Sequence, residues 1–433
     1  MFDISQFNTS LGLFFLISSS LILFFLFKKS VHSIIDPLML KLVWLSAHIS
    51  MLLLIGIEQP KYVDEVYWGF WVVVVTYIFL VKLFIPPISG KMPPAIPEKQ
   101  QPLISFSKMA LVLATVGFLI SKKPFFDFIS ENPDPSAWFT FRYAIDFKGR
   151  DPILRITELG CIPFIYFYSC YLVLREKKLV LPLVCILITI SLNLVSGGKS
   201  AILEVANYFG FFFVIYSGFL SNKLLRRVNF LGVFVIAISV VGATYVLSQI
   251  NEEGIDGAIQ AFLNRVFANA DGMTYAIKGD IYSNLDSGII AYFESLFGIY
   301  IKYITGINYK NVGWQLTELI TGYNLDFAQG SNYTIFIQSY ILGLGWSIIL
   351  LLPIMAYVYG LCRRRKAYFS NNSPFVFAIY SCLVYIYVDA ELNILRIISI
   401  TIIWSVFFII RKILGSFYLK RNRYRGFQYH GKN

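Results

Sequence analysis

Three polar residues in the middle of the chain have the spacing of one helix face and the chemistry of a phosphate site. Arg265, Asn269 and Gly272 recur at i, i+4 and i+7, so a helix would place them on the same side. An arginine held there by apolar neighbours can bind a phosphate through two guanidinium nitrogens. The alternative is a surface arginine paired with Glu252 or Asp271. The first interpretation predicts a phosphorylated ligand.

A second cation lies in the small-residue sequence Ser196-Gly-Gly-Lys199-Ser200. Asn193 stands where a Walker-type loop needs its first glycine, so we do not expect nucleotide binding. The two glycines allow a tight turn, and Ser200 can cap a helix that begins at Ala201. Free amides, the helix dipole and Lys199 together suit an anionic phosphate. A hairpin turn with its lysine among lipid headgroups is the alternative.

Further polar residues suit sugar binding or proton transfer. Arg142 and Arg155 lie in a polar segment rich in aromatic residues, a combination that suits a sugar phosphate and equally an interfacial aromatic belt. Asp271 and Asp280 are carboxylates that could take a proton from a hydroxyl nucleophile, although most such groups are solvated or paired. Glu204 lies one turn inside an apolar span, where a charge is costly and often functional.

The composition predicts a polytopic membrane protein. Of 433 residues, 57% are hydrophobic and 14% are charged, whereas about a quarter are charged in soluble domains. The net charge of +12 comes from basic clusters beside apolar spans, as in cytoplasmic loops, so nucleic acid is not an expected partner. The cysteines lie in or beside spans, and the long polar segments contain no histidine. We therefore expect neither a metal site nor a cofactor.

Hydropathy predicts an all-α chain with about eleven transmembrane helices. Residues 1–249 would hold eight spans, with an outward loop at 122–159. Residues 250–332 would form a large outward loop with interfacial helices, before the last three spans in 333–413. Residues 414–433 would be a basic cytoplasmic tail.

Basic clusters predict the orientation of these spans. All of them fall on one side if the span count holds, and the positive-inside rule makes that side cytoplasmic. The clusters are at 28–29, 91–99, 175–178, 223–227, 363–366 and 411–425. Gly288–Ile307 is nearly apolar but contains Glu294 and Lys302. A full span there would invert everything after it, so we expect an interfacial or re-entrant helix.

Three short motifs carry a resemblance to a known family. They are Ser196–Ala201, Arg265–Tyr275, and Gly330-Ser-Asn332-Tyr followed by Tyr340–Gly345. Through them the chain resembles the oligosaccharide repeat-unit polymerases of bacterial surface polysaccharide, the Wzy-type O-antigen and capsule polymerases. The predicted span count, the aromatic richness and the long outward loop also fit that family.

The resemblance implies a glycosyltransferase of the integral-membrane C type (a GT-C-like fold) in the bacterial cytoplasmic (inner) membrane. Its donor would be a growing glycan on undecaprenyl diphosphate, and its acceptor a single repeat unit on a second such carrier. The whole chain would pass to the acceptor, and lipid diphosphate would leave. The outward loop would be periplasmic, and a chain-length regulator would be a possible partner.

The resemblance also implies roles for particular residues. Lys199 and Arg265 match the family's basic positions and would stabilise the departing diphosphate. Many relatives have arginine in the small-residue turn, so Lys199 keeps the charge but loses the planar fork. Asp271 or Asp280 would be the general base. Substrate contacts are expected from Arg142, Arg155, Asn269, Tyr275 and Asn332.

Several other functions remain as alternatives. The related O-antigen ligase would be expected to carry a histidine in the large outward loop, and residues 251–329 contain none. A transporter that flips lipid-linked oligosaccharide would favour paired repeats and charges within spans, and the sequence shows no repeat. A membrane O-acyltransferase would be expected to need an intramembrane histidine, for which His48 is the candidate. A non-catalytic scaffold is also compatible with the sequence.

Overall fold

The structure is a computed structural model in which every regular element of the described residues is helical. The described residues are 6–87, 107–138, 141, 151–174, 176–196, 201–215, 226–227, 229–230, 232–234, 237–238, 240–242, 244–245, 260, 263–264, 266–279, 285–306, 312–322, 334–338, 346–364, 374–385 and 390–429. The α-helices are α1 (Thr9–Phe27), α2 (Pro37–Glu58), α3 (Glu65–Phe84), α4 (Ser107–Ser121), α5 (Lys123–Glu131), α6 (Pro135–Trp138), α7 (Pro152–Leu174), α8 (Val180–Val195), α9 (Ala201–Ile215), α10 (Asp271–Lys278), α11 (Ile289–Thr305), α12 (Val312–Thr321), α13 (Trp346–Arg364), α14 (Pro374–Tyr385) and α15 (Ala390–Tyr429). Short 3-10 turns occupy Pro60–Tyr62 and Ala268–Ala270.

Local sequence determines where the first three helices begin. Asn8, Asp36 and Asp64 each accept a backbone N–H of the first turn and so cap α1, α2 and α3. Pro37 occupies the start of α2, where its missing N–H needs no partner. The apolar run that follows each cap is long enough to continue as a single helix.

Five helical segments are long and apolar enough to cross a membrane. They are Thr9–Phe27, Pro37–Glu58, Glu65–Phe84, Pro152–Val173 and Leu392–Ile413. The pair α4 and α5, bent by 43°, would be a sixth if it forms one span. Val180–Val195, Leu351–Leu361 and Pro374–Tyr385 are apolar but shorter. Within the described residues, the fold is therefore all-helical with five or six candidate spans, and a total of eleven stays a prediction.

Burial separates a central layer of helices from a peripheral one. Most of α2 and α7 is buried, whereas α1, α3 and the apolar part of α15 are largely exposed. Phe14, Val72 and Phe408 are examples of the large apolar side chains that these outer helices leave uncovered. Soluble monomers rarely expose so much contiguous apolar surface, and lipid would cover it.

Two predicted boundaries differ from the structure. Hydropathy predicts an outward loop through residue 159, whereas α7 begins at Pro152 and carries Glu158 in its second turn. Asp151 accepts N–H groups of the first turn and so starts α7 within the polar sequence. The sequence also predicts a separate tail from residue 414 onwards, whereas α15 runs from Ala390 to Tyr429 as one helix. The hydropathy pattern locates only the apolar part of each helix.

Arg363, at the end of α13, forms a buried ion pair with Asp36, just before α2. Its Nη1 lies 2.8 Å from Asp36 Oδ1 and its Nη2 lies 2.9 Å from Oδ2. Nη2 also donates to the Ser30 carbonyl at 2.7 Å. Burial by itself would raise the pKa of the Asp36 carboxyl, but Arg363 outweighs burial and holds that pKa below its usual range. We call this side of the bundle the Arg363 end; Lys28 and Lys29 immediately precede Ser30 there.

The opposite side of the bundle is the Glu58 end, where α1 begins, α2 ends and α3 begins. Both oxygens of Glu58 accept the Asn8 N–H, at distances of 2.9 and 3.2 Å. Helix α10 ends on this side too, because Lys278 Nζ donates to Gln6 Oε1 at 3.0 Å. The Glu58 end is therefore where the long polar segment joins the helical bundle.

Helices α10 and α12 meet near the Glu58 end. A Cβ added to Gly279 would lie 2.8 Å from Ile320 Cδ1, so the ends of α10 and α12 adjoin. Between them lie α11 and the 10-residue α12. A helix of that length rises about 15 Å, half of a hydrocarbon core about 30 Å thick. An interfacial or re-entrant α11 stays a prediction, because residues 280–284 and 307–311 lie outside the described residues.

Candidate functional site

Polar side chains from five separate segments of the chain converge inside the helical bundle. Lys122 lies at the bend between α4 and α5, Glu158 on α7, Ser196 directly after α8, Glu204 in the first turn of α9 and Arg396 in the second turn of α15. We call these five residues the carboxylate cluster. No two of them share a helix, so the packing of the bundle brings them together.

A glycine allows the close crossing of α7 and α15 that builds the carboxylate cluster. A Cβ on Gly160 would lie 2.6 Å from Ile403 Cγ1 and 2.7 Å from the Ser399 carbonyl oxygen. No side chain fits there without moving a helix, because real Cβ atoms do not approach a backbone oxygen so closely. Glu158 lies just before this crossing on α7, and Arg396 lies one turn before it on α15. The crossing therefore brings the two side chains to the same level of the bundle.

Lys122 connects three parts of the cluster. Its Nζ lies 2.6 Å from Glu158 Oε1 and 3.4 Å from Ser196 Oγ. Its ammonium also lies 5.2 Å from the centre of the Phe118 ring. The Lys122 side chain is 8% exposed and that of Glu158 is 19% exposed, so water weakens this ion pair little. The pair fixes the bend between α4 and α5 against α7.

Glu204 has an oxygen that the described part of the protein leaves unused. Its Oε2 is buried and has no hydrogen-bond partner among the described residues. Arg396, Glu158 and Lys122 all lie within electrostatic reach of its carboxyl group. A buried acceptor without a partner costs free energy, so such atoms usually have a ligand, a water molecule or a chemical role. Glu204 is therefore the open position of the cluster.

Tyrosines line the cluster on the side of α7, α9 and α14. The rings of Tyr166 and Tyr208 stack with their centres 4.7 Å apart, and the charge of Glu204 acts on both hydroxyl groups. The hydroxyls of Tyr166 and Tyr385 are buried and have no hydrogen-bond partner among the described residues. These donors can bind hydroxyl or phosphate oxygens, and the flat rings can pack against a sugar.

The arrangement combines a proton acceptor with fixed cations. A buried carboxylate can take a proton from a hydroxyl group, provided that the hydroxyl comes within hydrogen-bond reach. Lys122 and Arg396 can stabilise negative charge that develops on a departing group, and they do so more effectively away from bulk water. The cluster is therefore equipped for transfer of a group to a hydroxyl with loss of an anion.

Most of the residues predicted from sequence to act directly lie outside the described residues. These are Lys199, Arg265, Asp280, Arg142 and Asn332. Their predicted roles stay predictions.

Arg155 is the predicted substrate contact that the structure places nearest to the cluster. It lies on the first turn of α7, one turn before Glu158, with its backbone N–H bonded to the Asp151 carbonyl at 3.0 Å. The side chain is partly exposed. Its place on a helix differs from the loop predicted by hydropathy, and it brings a further cation to the same level of the bundle.

The other predicted residues lie at the start of α10. Asn269 donates to the Val266 carbonyl at 2.7 Å, and Asp271 accepts the Gly272 N–H at 2.6 Å. Asp271 and Tyr275 are both nearly fully buried. Burial and the charge of Asp271 raise the pKa of Tyr275 to about 12, so its hydroxyl remains protonated at neutral pH. Asp271 is not the solvated carboxylate of an open loop.

Arg265 lies outside the described residues, and the segment that carries Asn269 and Gly272 is not one continuous α-helix. A 3-10 turn covers Ala268–Ala270, and α10 begins only at Asp271. A 3-10 turn has about three residues per turn instead of 3.6, so the register of i, i+4 and i+7 is not kept. Phe267 is fully buried, and a Cβ on Gly12 would lie 3.2 Å from its ring. Packing of this segment against α1 therefore replaces the predicted continuous helix.

The sequence does not single out four of the five members of the carboxylate cluster. Glu204 carried a signal, because a carboxylate inside an apolar run is costly. Lys122, Glu158, Ser196 and Arg396 sit at ends of apolar runs, where charged and hydroxyl residues are common. Among the described residues, no three histidine, cysteine, aspartate or glutamate side chains are grouped as a metal-ion site.

Searches of protein-family models, curated proteins and solved structures give no match to this chain.

Proposed function

We propose that this protein polymerises lipid-linked oligosaccharide repeat units into a bacterial surface polysaccharide, O-antigen or capsule. The observation that carries the proposal is the open carboxylate of Glu204 within reach of Lys122 and Arg396. The motif resemblance in the sequence gives the substrate class, and the cluster supplies groups suited to that reaction. The protein would be a glycosyltransferase that needs no nucleotide, since its donor is already activated by diphosphate.

The reaction transfers the growing glycan from one carrier to a new repeat unit. A hydroxyl oxygen of the acceptor attacks the anomeric carbon of the donor and forms the new carbon–oxygen bond. The bond between that carbon and the diphosphate oxygen breaks, and its electron pair leaves with the diphosphate. Glu204 takes the hydroxyl proton, and Lys122 and Arg396 stabilise the leaving charge, with Lys199 and Arg265 as further cations.

This function sets the orientation and the partners. The Glu58 end faces the periplasm and the Arg363 end faces the cytoplasm of a protein that crosses the bacterial inner membrane several times. Residues 250–332 form its periplasmic segment. Two undecaprenyl diphosphate carriers enter from the bilayer, and a chain-length regulator is a further possible partner. A C-type glycosyltransferase architecture belongs to the same proposal.

The test compares Glu204→Gln with Glu176→Gln in cells that lack the native copy. Glu176 lies beyond the other end of α7 and pairs with Lys178, so its loss matches the charge change away from the cluster. We expect Glu204→Gln to lower polymer formation about 10²- to 10⁴-fold, the usual contribution of a general base. The gel would lose its ladder and keep a single capped repeat unit, while Glu176→Gln would keep the ladder.

Other results would replace this proposal. A full ladder with Glu204→Gln at normal membrane levels would remove Glu204 from the reaction. A null strain with full-length glycan on its lipid carrier and none on lipid A core would indicate the ligase. Arg265→Ala and Arg265→Lys extend the test to the long polar segment, because activity retained by lysine alone would assign the role to charge rather than to guanidinium geometry.

A transporter of lipid-linked oligosaccharide is the second candidate. The observation that favours it is the buried set of Asp36, Arg363 and Lys41 in and beside the spans, because transporters carry such charges. A transporter null strain would accumulate repeat units on the cytoplasmic face, where an enzyme added to inside-out vesicles can modify them. Accumulation on the periplasmic face would instead support the polymerase.

A further inference from the structure

A separate cavity lies at the Glu58 end, where α10 meets the turn between α2 and α3. Its volume is about 530 Å³, within the range of small-molecule sites. Gln6, Glu58, Gln59, Lys61, Tyr62 and Lys278 line it. None of these residues belongs to the carboxylate cluster, and none is among the residues to which the sequence assigns a role. We call this cavity the lysine pocket.

Two ammonium groups and one aromatic ring form the floor of the lysine pocket. Lys278 Nζ donates to Gln6 Oε1 at 3.0 Å and lies 5.0 Å from the centre of the Phe7 ring. Tyr62 has both cations near its ring centre, with Lys61 at 4.8 Å and Lys278 at 5.7 Å. Cation–aromatic contacts hold the two ammonium groups in place and do not themselves cancel the positive charge.

The electrostatics of the pocket favour an anion. Partial burial and the like charge of Lys61 lower the pKa of Lys278. A negatively charged group between the two ammonium groups would reduce their mutual repulsion. Glu58 is the carboxylate of the lining, and both of its oxygens accept the Asn8 N–H at the positive end of α1. Two lysines against one glutamate leave the lining with a net positive charge.

The pocket also offers a neutral hydrogen-bonding group. Gln59 Oε1 is buried and has no hydrogen-bond partner among the described residues. An amide oxygen in this position accepts from a hydroxyl group, which many ligands besides simple anions carry. The combination of two cations, a tyrosine face and an amide acceptor matches a sugar that carries an acidic group.

We infer that the lysine pocket binds an anionic sugar residue of the glycan, whose carboxylate or phosphate group lies between Lys61 and Lys278. This role rests on the proposed function, since the glycan would be the lipid-linked chain. The pocket is then a holding site beside the reaction, and it selects acidic glycans over neutral ones. Its occupant contacts α10 of the long polar segment and the α2–α3 turn together.

Binding to the full-length protein in uncharged phosphatidylcholine nanodiscs tests this inference directly. Four probes are titrated separately by calorimetry. They are a disaccharide that contains glucuronic acid, the sugar phosphate glucose 1-phosphate, inorganic phosphate, and the neutral disaccharide lactose. We expect the acidic sugars to bind at least tenfold more tightly than lactose and inorganic phosphate. The two acidic probes distinguish a carboxylate from a sugar phosphate. Equal binding of lactose, or inorganic phosphate binding as tightly as both sugars, would overturn the inference.

Variants connect that binding to the pocket. Lys61→Gln and Lys278→Gln should each weaken acidic-sugar binding about tenfold, and Lys278→Arg should retain it. Lys123→Gln is the matched control, because Lys123 is an exposed lysine next to Lys122 and outside the pocket. If Lys61→Gln and Lys278→Gln both bind the acidic sugars as tightly as the unmodified protein, the inference is overturned. Two variants are used so that a folding defect in one of them does not decide the result. A null strain with a normal glycan ladder would instead overturn the proposed function and leave the binding result standing.

Discussion

The Arg363 end and the carboxylate cluster each contain a buried carboxylate, but the two carboxylates have opposite hydrogen-bonding environments. At the Arg363 end, Asp36 accepts from Arg363 with both oxygens and also from the His32 and Leu38 N–H groups. In the carboxylate cluster, Glu204 leaves Oε2 without a partner among the described residues. A carboxylate that is fully bonded can do no further chemistry, whereas one that is open to a ligand can. The comparison separates charges that hold the fold from charges that are free to react.

The largest effect should come from breaking the closed pair. We expect Arg363→Ala to lower the stability of the folded bundle by about 3–5 kcal/mol, because Asp36 would remain buried without its cation. Thermal unfolding of the detergent-solubilised protein and its yield in membranes measure this loss. Lys28→Ala is the control, since Lys28 is exposed at the same end. If Arg363→Ala is as stable as Lys28→Ala, the Asp36–Arg363 ion pair does not stabilise the fold.

An intermediate effect should come from the crossing of α7 and α15. Gly160→Ala places a methyl group against the Ser399 carbonyl, and we expect a loss of about 1–3 kcal/mol as the helices separate. Because the crossing aligns Glu158 with Arg396, polymer formation should fall as well. An unchanged free energy of unfolding in Gly160→Ala would show that the two helices accommodate the methyl group without cost.

The smallest effect on stability should come from the open carboxylate. Glu204→Gln removes a charge whose Oε2 makes no hydrogen bond to the described residues, so we expect unfolding to change by no more than about 1 kcal/mol. Activity should nevertheless fall, as proposed above. The same thermal unfolding measurement as for Arg363→Ala allows the stability losses of the two variants to be compared directly. A loss of stability as large as that of Arg363→Ala would make Glu204 a structural residue and remove the contrast.

The sequence predicts helices well where a cap and an apolar run coincide. Asn8 caps the apolar run that becomes α1, and Asp36 with Pro37 marks the start of α2. It predicts poorly where a helix extends into polar sequence, as at Pro152, because hydropathy carries no record of backbone hydrogen bonding. The presence of a helix can therefore be predicted from the local sequence. The length of α7 cannot, because this helix continues into polar sequence.

The site was less predictable than the fold because its contacts join distant parts of the chain. Glu204 could be singled out alone, since the cost of a charge in an apolar run is local. Lys122, in contrast, meets Glu158 and Ser196 only because of how α4, α7 and α8 pack. Arg363 illustrates the same limit, because the positive-inside rule counts it as a loop cation whereas the structure buries it against Asp36.

The Asp36–Arg363 pair also has a consequence for how the protein is made. Asp36 and Arg363 are separated by 327 positions, so the ribosome completes the arginine long after the aspartate has been inserted. At roughly 5–20 residues per second, that interval is about 15–65 s. During it, α2 stands in the translocon or the bilayer with its acid at the membrane surface unneutralised. Water can hydrate the Asp36 carboxylate during that interval, and the Arg363 end can close only after α13 has been made.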